Sequence, residues 1–457
     1  MTETPDPTRD IDLGIVRRAV AAAAMGNAME WYDYGVLTSG AITATIGAQF
    51  FPGGGANAAL KSFMLLALSF IVRPFGGAFF GPLGDKIGRQ RVLAITVLLM
   101  SGGTFMVGVL PTFAGPYSLG YGSLGLIMFM RLAQGFSTGG EYGGAATFMS
   151  EYAPTKRRGF FGSFLEFGTL SGYVLGNVIV LAVDLGIGPS TPAFQAWGWR
   201  IPFLIALPLG AIGLYLRLKL EDTPTFEALG RAGQAAKKAP FKEAITGHWR
   251  TILQLIGIVL LLNVADYSLL TFIPTYFSTQ LHYSTTAATV IIIIVELVMM
   301  AVIAPVGALS DRIGRKPLLI AMAVGYIVLS YPAFTLMQQH SLPLLMVGYL
   351  IVALLLVLCL AVIGSTFPAM FPTRVRYGAF AIGYNLSTSI FGGTAALVVE
   401  SVISATGNNY IPAFYLILAG FIGLVPILTL QETARVPMSA IKRRLPRTAR
   451  PAQAVGR

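Results

Sequence analysis

The sequence predicts an all-α membrane protein of twelve transmembrane helices, arranged as two pseudo-symmetric six-helix halves. Three observations predict it. Hydrophobic residues make up 55% of the 457 and charged residues only 11%, with a mean hydropathy of +0.70, whereas soluble domains carry about 25% charged residues. Runs of roughly 20 apolar residues, enough to cross the hydrocarbon core of a bilayer, recur about twelve times along the chain. The same phrase is also written twice about half a chain apart, as GPLGDKIGRQR over Gly81–Arg91 and GALSDRIGRKP over Gly307–Pro317, which marks two copies of one module.

The elements follow in order. A polar N-terminal tail, 1–18, lacks the charged-then-apolar order of a cleaved signal, so span one is expected to stay in the protein. The first half, 19–219, holds spans near 19–47, 59–82, 91–112, 122–151, 159–184 and 200–218. The repeated phrase closes span two and opens span three, which makes it a tight basic hairpin. Segment 220–249, with Glu-Asp-Thr-Pro, Gly-Gln and Lys-Lys, is the one long polar stretch in the interior and is expected to be a linker. The second half, 250–431, holds spans near 250–279, 286–309, 317–337, 342–371, 377–404 and 410–430, and the phrase returns between spans eight and nine. A basic tail, 432–457, follows; residues 1–12 and 436–457 read as disordered.

The sidedness follows from charge, because Lys and Arg near helix ends are retained in the cytoplasm. Of the 32 Lys and Arg residues, all but Lys61, Arg73, Arg131 and Arg200 fall in the tails or in loops after even-numbered spans. Both termini are therefore expected on the cytoplasmic side. This bias accounts for the net charge of +12 without invoking nucleic acid. The single cysteine, Cys359, excludes a disulfide within the chain and a cysteine metal cluster. Short external loops such as Pro52–Gly55 and Gly186–Pro192 leave no room for an outer receptor or enzyme domain. The histidines His248, His282 and His340 sit near span ends, no catalytic cluster lies in the spans, and no phosphate-binding loop is present. Neither an enzyme nor an ATP-driven pump is expected, and no cofactor is called for beyond the proton as coupling ion.

The repeated phrase resembles the loop between the second and third helices of the major facilitator superfamily, together with its copy in the second half. Further segments, GNAMEWYDYG at Gly26–Gly35, VRPFGG at Val72–Gly77, AQGFSTGGEY at Ala133–Tyr142, WGWRIP at Trp197–Pro202 and PAMFPTRVRY at Pro368–Tyr377, resemble the metabolite:proton symporter family and, within it, bacterial proline/glycine betaine symporters. The resemblance covers essentially the whole chain. It implies a major facilitator fold in a bacterial inner membrane and import, by alternating access with protons, of a small zwitterion such as proline or glycine betaine. A symporter of an organic acid such as 2-oxoglutarate, shikimate or citrate is the alternative in substrate, and a proton-driven drug exporter the alternative in class. One departure is the tail: an osmosensing member of the group ends in a coiled coil, and no heptads follow Thr433 here.

Ionisable groups at membrane depth are costly, so each is a site hypothesis. The candidates are Glu30 and Asp33 in span one, Arg73 in span two, Arg131 and Glu141 in span four, Glu166 in span five, Asp266 in span seven and Glu296 in span eight. Burial raises a carboxyl pKa and an adjacent guanidinium lowers it, so an acid–base pair that opens and closes makes a proton switch. Asp33 with Arg131 is the preferred pair, which proton-coupled sugar porters of the superfamily resemble in spans one and four. The alternatives are a fixed structural ion pair there, or Glu30 or Glu166 as the proton holder. Betaine's nitrogen has no hydrogen to donate, so aromatic faces suit it. Trp31, Tyr34 and Tyr142 are expected around it, with Arg73 or Arg131 on the carboxylate and Asn27, Asp266 and Asn385 as further lining. Helix packing is the plainer reading for each of these aromatics and amides. Asp85, Arg89, Glu151 and Arg158 in the first half, and Asp311, Arg315 and Arg376 in the second, read as gating residues. Ala369 stands where sugar porters often show Glu, so the second latch is expected to be the weaker.

Overall fold

The computed structural model describes residues 13–55, 57–87, 89–114, 118–218, 241–372 and 375–436. They form twelve helical rods, with no strand among the described residues. Among the described residues nine helices are long and apolar enough to cross a membrane by length and composition. The other three rods are spans one, three and four. Span one runs as Leu13–Thr38 and Gly40–Phe50, span three as Arg89–Val109, and span four as Tyr121–Thr138 and Glu141–Tyr152. Spans one and four fall short because they are broken and carry Glu30, Asp33 and Arg131 in mid-helix.

Helical backbone begins at Phe241, inside the segment assigned to the linker, and has one non-helical residue at His248 (φ −132°, ψ 16°). The N-terminal tail before residue 13, most of the linker, and residues after 436 lie outside the described residues. Span eight starts at Thr285 with the Ser284 hydroxyl accepting from the Ala287 N–H at 3.2 Å, a side-chain N-cap. It stops at Gly314, whose φ of +99° is one that residues with a Cβ rarely adopt. The second copy of the phrase therefore makes a hairpin because Gly314 allows the chain to reverse there.

Within the first half, span five packs along span one, span four along span two, and span six along span three. Spans two and four touch backbone to backbone: a Cβ on Gly135 would lie 1.7 Å from the Ser69 carbonyl oxygen. This close approach, of the kind small residues permit between membrane helices, sets span two, which carries Arg73, against span four, which carries Arg131. In the second half, span nine packs on spans ten and twelve, and span seven on spans eleven and twelve. The halves meet where span eight lies on span five and where span eleven lies on spans two and four. Spans seven and eleven widen into π-helical turns at Tyr267–Phe272, Tyr276–Gln280 and Thr388–Gly392, which rotate the following side chains relative to an α-helix. Two of the three turns lie against the first half at this seam.

Candidate transport site

The side chains at the seam form a charged layer and an aromatic layer. Asp33 and Arg131 are both buried, and Arg131 Nη1 lies 2.6 Å from Asp33 Oδ2. Gln134 Nε2 spans Asp33 Oδ1 at 3.4 Å and Thr104 Oγ1 at 2.8 Å. The preferred acid–base pair is thus formed, one partner on span one and the other on span four. In a dry interior such a pair is stable only with good geometry, and removal of one partner strands the other charge.

Above it lies the aromatic layer. The Trp31 ring centroid is 5.0 Å from Tyr34, 5.5 Å from Tyr173 and 6.1 Å from Tyr267. Phe70 closes the group, 5.1 Å from Tyr267 and 5.9 Å from Tyr34. Arg73 stands at its edge, its guanidinium carbon 3.9 Å from the Phe70 centroid and its Nη2 donating to the Tyr34 hydroxyl. Buried Arg73 Nε and Trp31 Nε1 have no hydrogen-bond partner among the described residues, an unusual state for buried donors. Glu30 is buried within electrostatic reach of Arg73 and Tyr34. A guanidinium beside a tilted aromatic group can hold a carboxylate at one end of a small solute and a cationic carbon–nitrogen group at the other.

Three further acids face this centre from the seam. Glu296, fully buried, accepts from Asn177 Nδ2 at 3.2 Å to each carboxylate oxygen. Glu166 accepts from the Tyr142 hydroxyl and, at 2.8 Å, from Thr169 Oγ1. Asp266 Oδ1 is buried with no partner among the described residues.

Several expected lining residues are engaged elsewhere. Tyr142 does not join Trp31: its hydroxyl is held by Glu166 and its ring stacks on Tyr384 across the seam, with centroids 4.3 Å apart and planes 10° apart. Asn27 donates to Leu165 O at 2.8 Å and Thr169 Oγ1 at 2.6 Å, and Asn385 to Gly139 O at 2.9 Å. Both amides are ties between helices, since a buried amide takes the nearest acceptor. Arg131 gives Nη1 to Asp33 and keeps Nε and Nη2 without a hydrogen-bond partner among the described residues, and Arg73 is the cation that lies against the aromatic rings. Sequence reasoning passed over Tyr267 and Phe70. Tyr267 follows Asp266 directly, as Tyr34 follows Asp33, and that echo between spans one and seven was the available signal. The buried carboxylates of Asp184 and Glu400 were also missed.

Of the residues expected to gate, the described ones, Glu151, Arg158, Asp311, Arg315 and Arg376, lie around the contact between the turn before span five and the end of span eight. Asp311 accepts from the backbone N–H groups of Gly159 at 2.8 Å and Phe160 at 3.0 Å. Arg376 Nη1 reaches Glu151 Oε1 at 3.1 Å, and its Nε donates to Pro368 O at 3.0 Å. Glu151 therefore bridges to the second half. Arg158 donates to Val436 O at 2.9 Å. Arg315 donates to Ser365 O at 2.8 Å and Thr433 Oγ1 at 2.9 Å, and burial brings its guanidinium down to about 10, against the pull of Asp311 and Glu432. Burial alone would lift the Glu432 carboxyl, but the backbone N–H groups of Ala434, Arg315, Lys316 and Thr433 hold it below the usual range. The second-half latch, expected to be weak, has the segment after span twelve as its support. The side chains of Asp85, Arg89 and Glu141 lie outside the described residues. No group of His, Cys, Asp and Glu among the described residues is arranged to hold a metal.

A model of the sugar (and other) transporter family matches residues 19–243 and 228–445. The proline/betaine transporters of Salmonella typhimurium and Escherichia coli are each 43% identical over 440 residues, covering 94% of this chain and 86% of theirs. The glycine betaine/proline/ectoine/pipecolic acid transporter of Dickeya dadantii is 43% identical over 445 residues, covering 95% and 87%. Among solved structures, a major facilitator superfamily proton:xylose symporter bound to 6-bromo-6-deoxy-D-glucose superposes with a TM-score of 0.73 at 19% identity, covering 94% of this chain and 99% of that one. That likeness is one of fold.

Proposed function

The chain belongs to the sugar (and other) transporter family, of major facilitator fold, and from that premise we propose that it imports a small zwitterionic osmolyte, such as proline or glycine betaine, together with protons. It crosses the inner membrane of a bacterium with both termini in the cytoplasm. The single observation that carries the substrate reading is the buried, partly unpartnered Arg73 at the edge of the Trp31–Tyr34–Tyr173–Tyr267 group. A carboxylate on Arg73 leaves the far end of a betaine or proline against aromatic faces, and an anion with no cationic end makes no use of them. The names of the relatives at 43% identity agree with this reading.

Proton coupling rests on the Asp33–Arg131 pair. A carboxylate in a dry interior is stable beside a cation or carrying a proton, and costly when bare. Both residues lie in the first half, so rocking of the halves opens the site to one side without parting them; when water and solute reach the pair from that side, Arg131 swings away and Asp33 takes a proton from there. Re-forming the pair releases it. Radiolabelled glycine betaine uptake into proteoliposomes, with and without an imposed inward proton gradient, tests both parts. Gradient-stimulated uptake is expected. Uptake of 2-oxoglutarate or shikimate in place of betaine and proline would move the chain to the organic-acid reading.

A further inference from the structure

Beside the latch, on the face where the loops after even-numbered spans gather, a cavity of about 720 Å³ opens between the halves. Its cations come from three separate parts of the chain. Lys156 and Arg157 belong to the turn before span five, Arg312 to the end of span eight, and Arg435 to the segment after span twelve. Among the described residues the side chains of Lys156, Arg157 and Arg312 make no hydrogen bond or ion pair, and Lys156, Arg157 and Arg312 are exposed. Arg435 is oriented by donating from Nε to Asp311 O and from Nη2 to Arg312 O, each at 3.1 Å. Among the described residues the one carboxylate lining the cavity, Asp311, is already committed to the N–H groups of Gly159 and Phe160. Four cations thus line one cavity with no free anion among the described residues to answer them.

Loop cations that only set topology need not share a cavity, and like charges brought together repel. An anion seated among them removes that repulsion. A phosphate group has the oxygens to accept from two or three such donors at once. The walls bear on its source: Phe160 and Ala308 line the cavity, and Leu309 and Ile313 on the same helix are exposed apolar side chains of a kind that faces lipid tails. Residues 437–457 contain no Asp or Glu.

We propose that this basin binds a phosphate group, either the headgroup of an anionic lipid or a soluble phosphate ester, and that the bound phosphate ties the two halves together at this face. Full-length protein, titrated with phosphatidylglycerol or phosphatidylcholine and read by native mass spectrometry, tests it. Wild type should retain one phosphatidylglycerol about tenfold better than phosphatidylcholine, the scale of one or two charge-assisted contacts. K156Q/R157Q/R312Q should lose that preference, while K442Q/R443Q/R444Q on the tail should keep it. A thermal shift from inorganic phosphate or glycerol phosphate that disappears in the first triple variant assigns a soluble source; preference for the lipid without that shift assigns a headgroup. Equal retention of the two lipids with no phosphate shift overturns the proposal, including the case in which acids of segment 219–240 occupy the basin. Equal losses from both triple variants overturn it too, since only general surface charge would then be at work. R312Q and K156Q as single changes carry the same test if the triple variant does not fold.

Discussion

Asp33 in span one has a guanidinium 2.6 Å away, whereas Glu296 in span eight has one side-chain amide and Asp266 in span seven has an oxygen with no partner among the described residues. Asp33 thus has its cation within its own half, whereas Glu296 takes its amide from across the seam and Asp266 has an oxygen without a partner among the described residues. A compensated pair can hold its place through the motion of the two halves until something separates it. A carboxylate satisfied only across the seam changes environment whenever the seam opens. The two halves, though built on one repeated module, are thus divided in how they hold a buried acid: Asp33 is paired within the first half, and Glu296 of the second half takes its amide from Asn177 of the first.

The largest effect expected from this division is at Arg131. Arg131→Gln strands Asp33 and should lower stability by about 3–5 kcal/mol, read as a drop in the thermal unfolding midpoint, with loss of gradient-driven uptake. Asp33→Asn combined with Arg131→Gln should recover most of the midpoint and none of the coupling; recovery of both would make the pair purely structural. Next is Trp31→Ala, which should raise the KM for betaine by about 5- to 30-fold, the scale of a desolvated cation–π contact of roughly 1–2 kcal/mol. Trp31→Phe should retain most of it, and an equal loss for an organic acid would dissolve the cage.

Glu296→Gln sharpens the comparison from the other side. It should change uptake by about tenfold or less, with Asn177→Ala giving a similar effect and the pair of changes no further loss. If Glu296→Gln stops transport as completely as Asp33→Asn, the two halves share the coupling chemistry and the division fails. Smaller again is the latch: Glu151→Gln breaks a partly exposed pair worth about 1 kcal/mol and should shift accessibility of the latch side a few-fold, as read by cysteine labelling at that face. The smallest effect expected is at Glu432. Its folded pKa lies below the unfolded one, so its contribution is present above the ordinary glutamate range and fades as pH falls through the depressed value. Thermal unfolding followed downward from neutral pH should therefore lose a small increment at the acid end that Glu432→Gln lacks throughout.

Much of the fold was legible beforehand. Span two from Ala58, span eight from Thr285 and span twelve from Ile411 lie within a few residues of the expected starts, because apolar run length is a local sum over side chains. The hairpins were legible for the same reason, through Gly314 and the charges around it. The site was legible in part. Asp33, Arg131, Arg73 and Trp31 could be picked out because charge and aromatic density at membrane depth are rare on their own account. The occupations of Tyr142, Asn27 and Asn385 could not, since each depends on an acceptor in another span: Glu166, Leu165 and Gly139. Nor could the cross-half route from Arg376 to Glu151, because a charge written beside a loop carries no statement of which loop it meets.

By itself the sequence determined twelve spans, two copies of one module and the face on which positive charge gathers, for transfer into lipid and retention of cations are decided residue by residue. Only the tertiary structure decided which charges became pairs. Asp33 and Arg131 are 98 positions apart and Asn177 and Glu296 are 119 apart; what brings them together is the crossing of helices, set by backbone contacts such as Gly135 on Ser69, and that is a property of the packed molecule rather than of either segment.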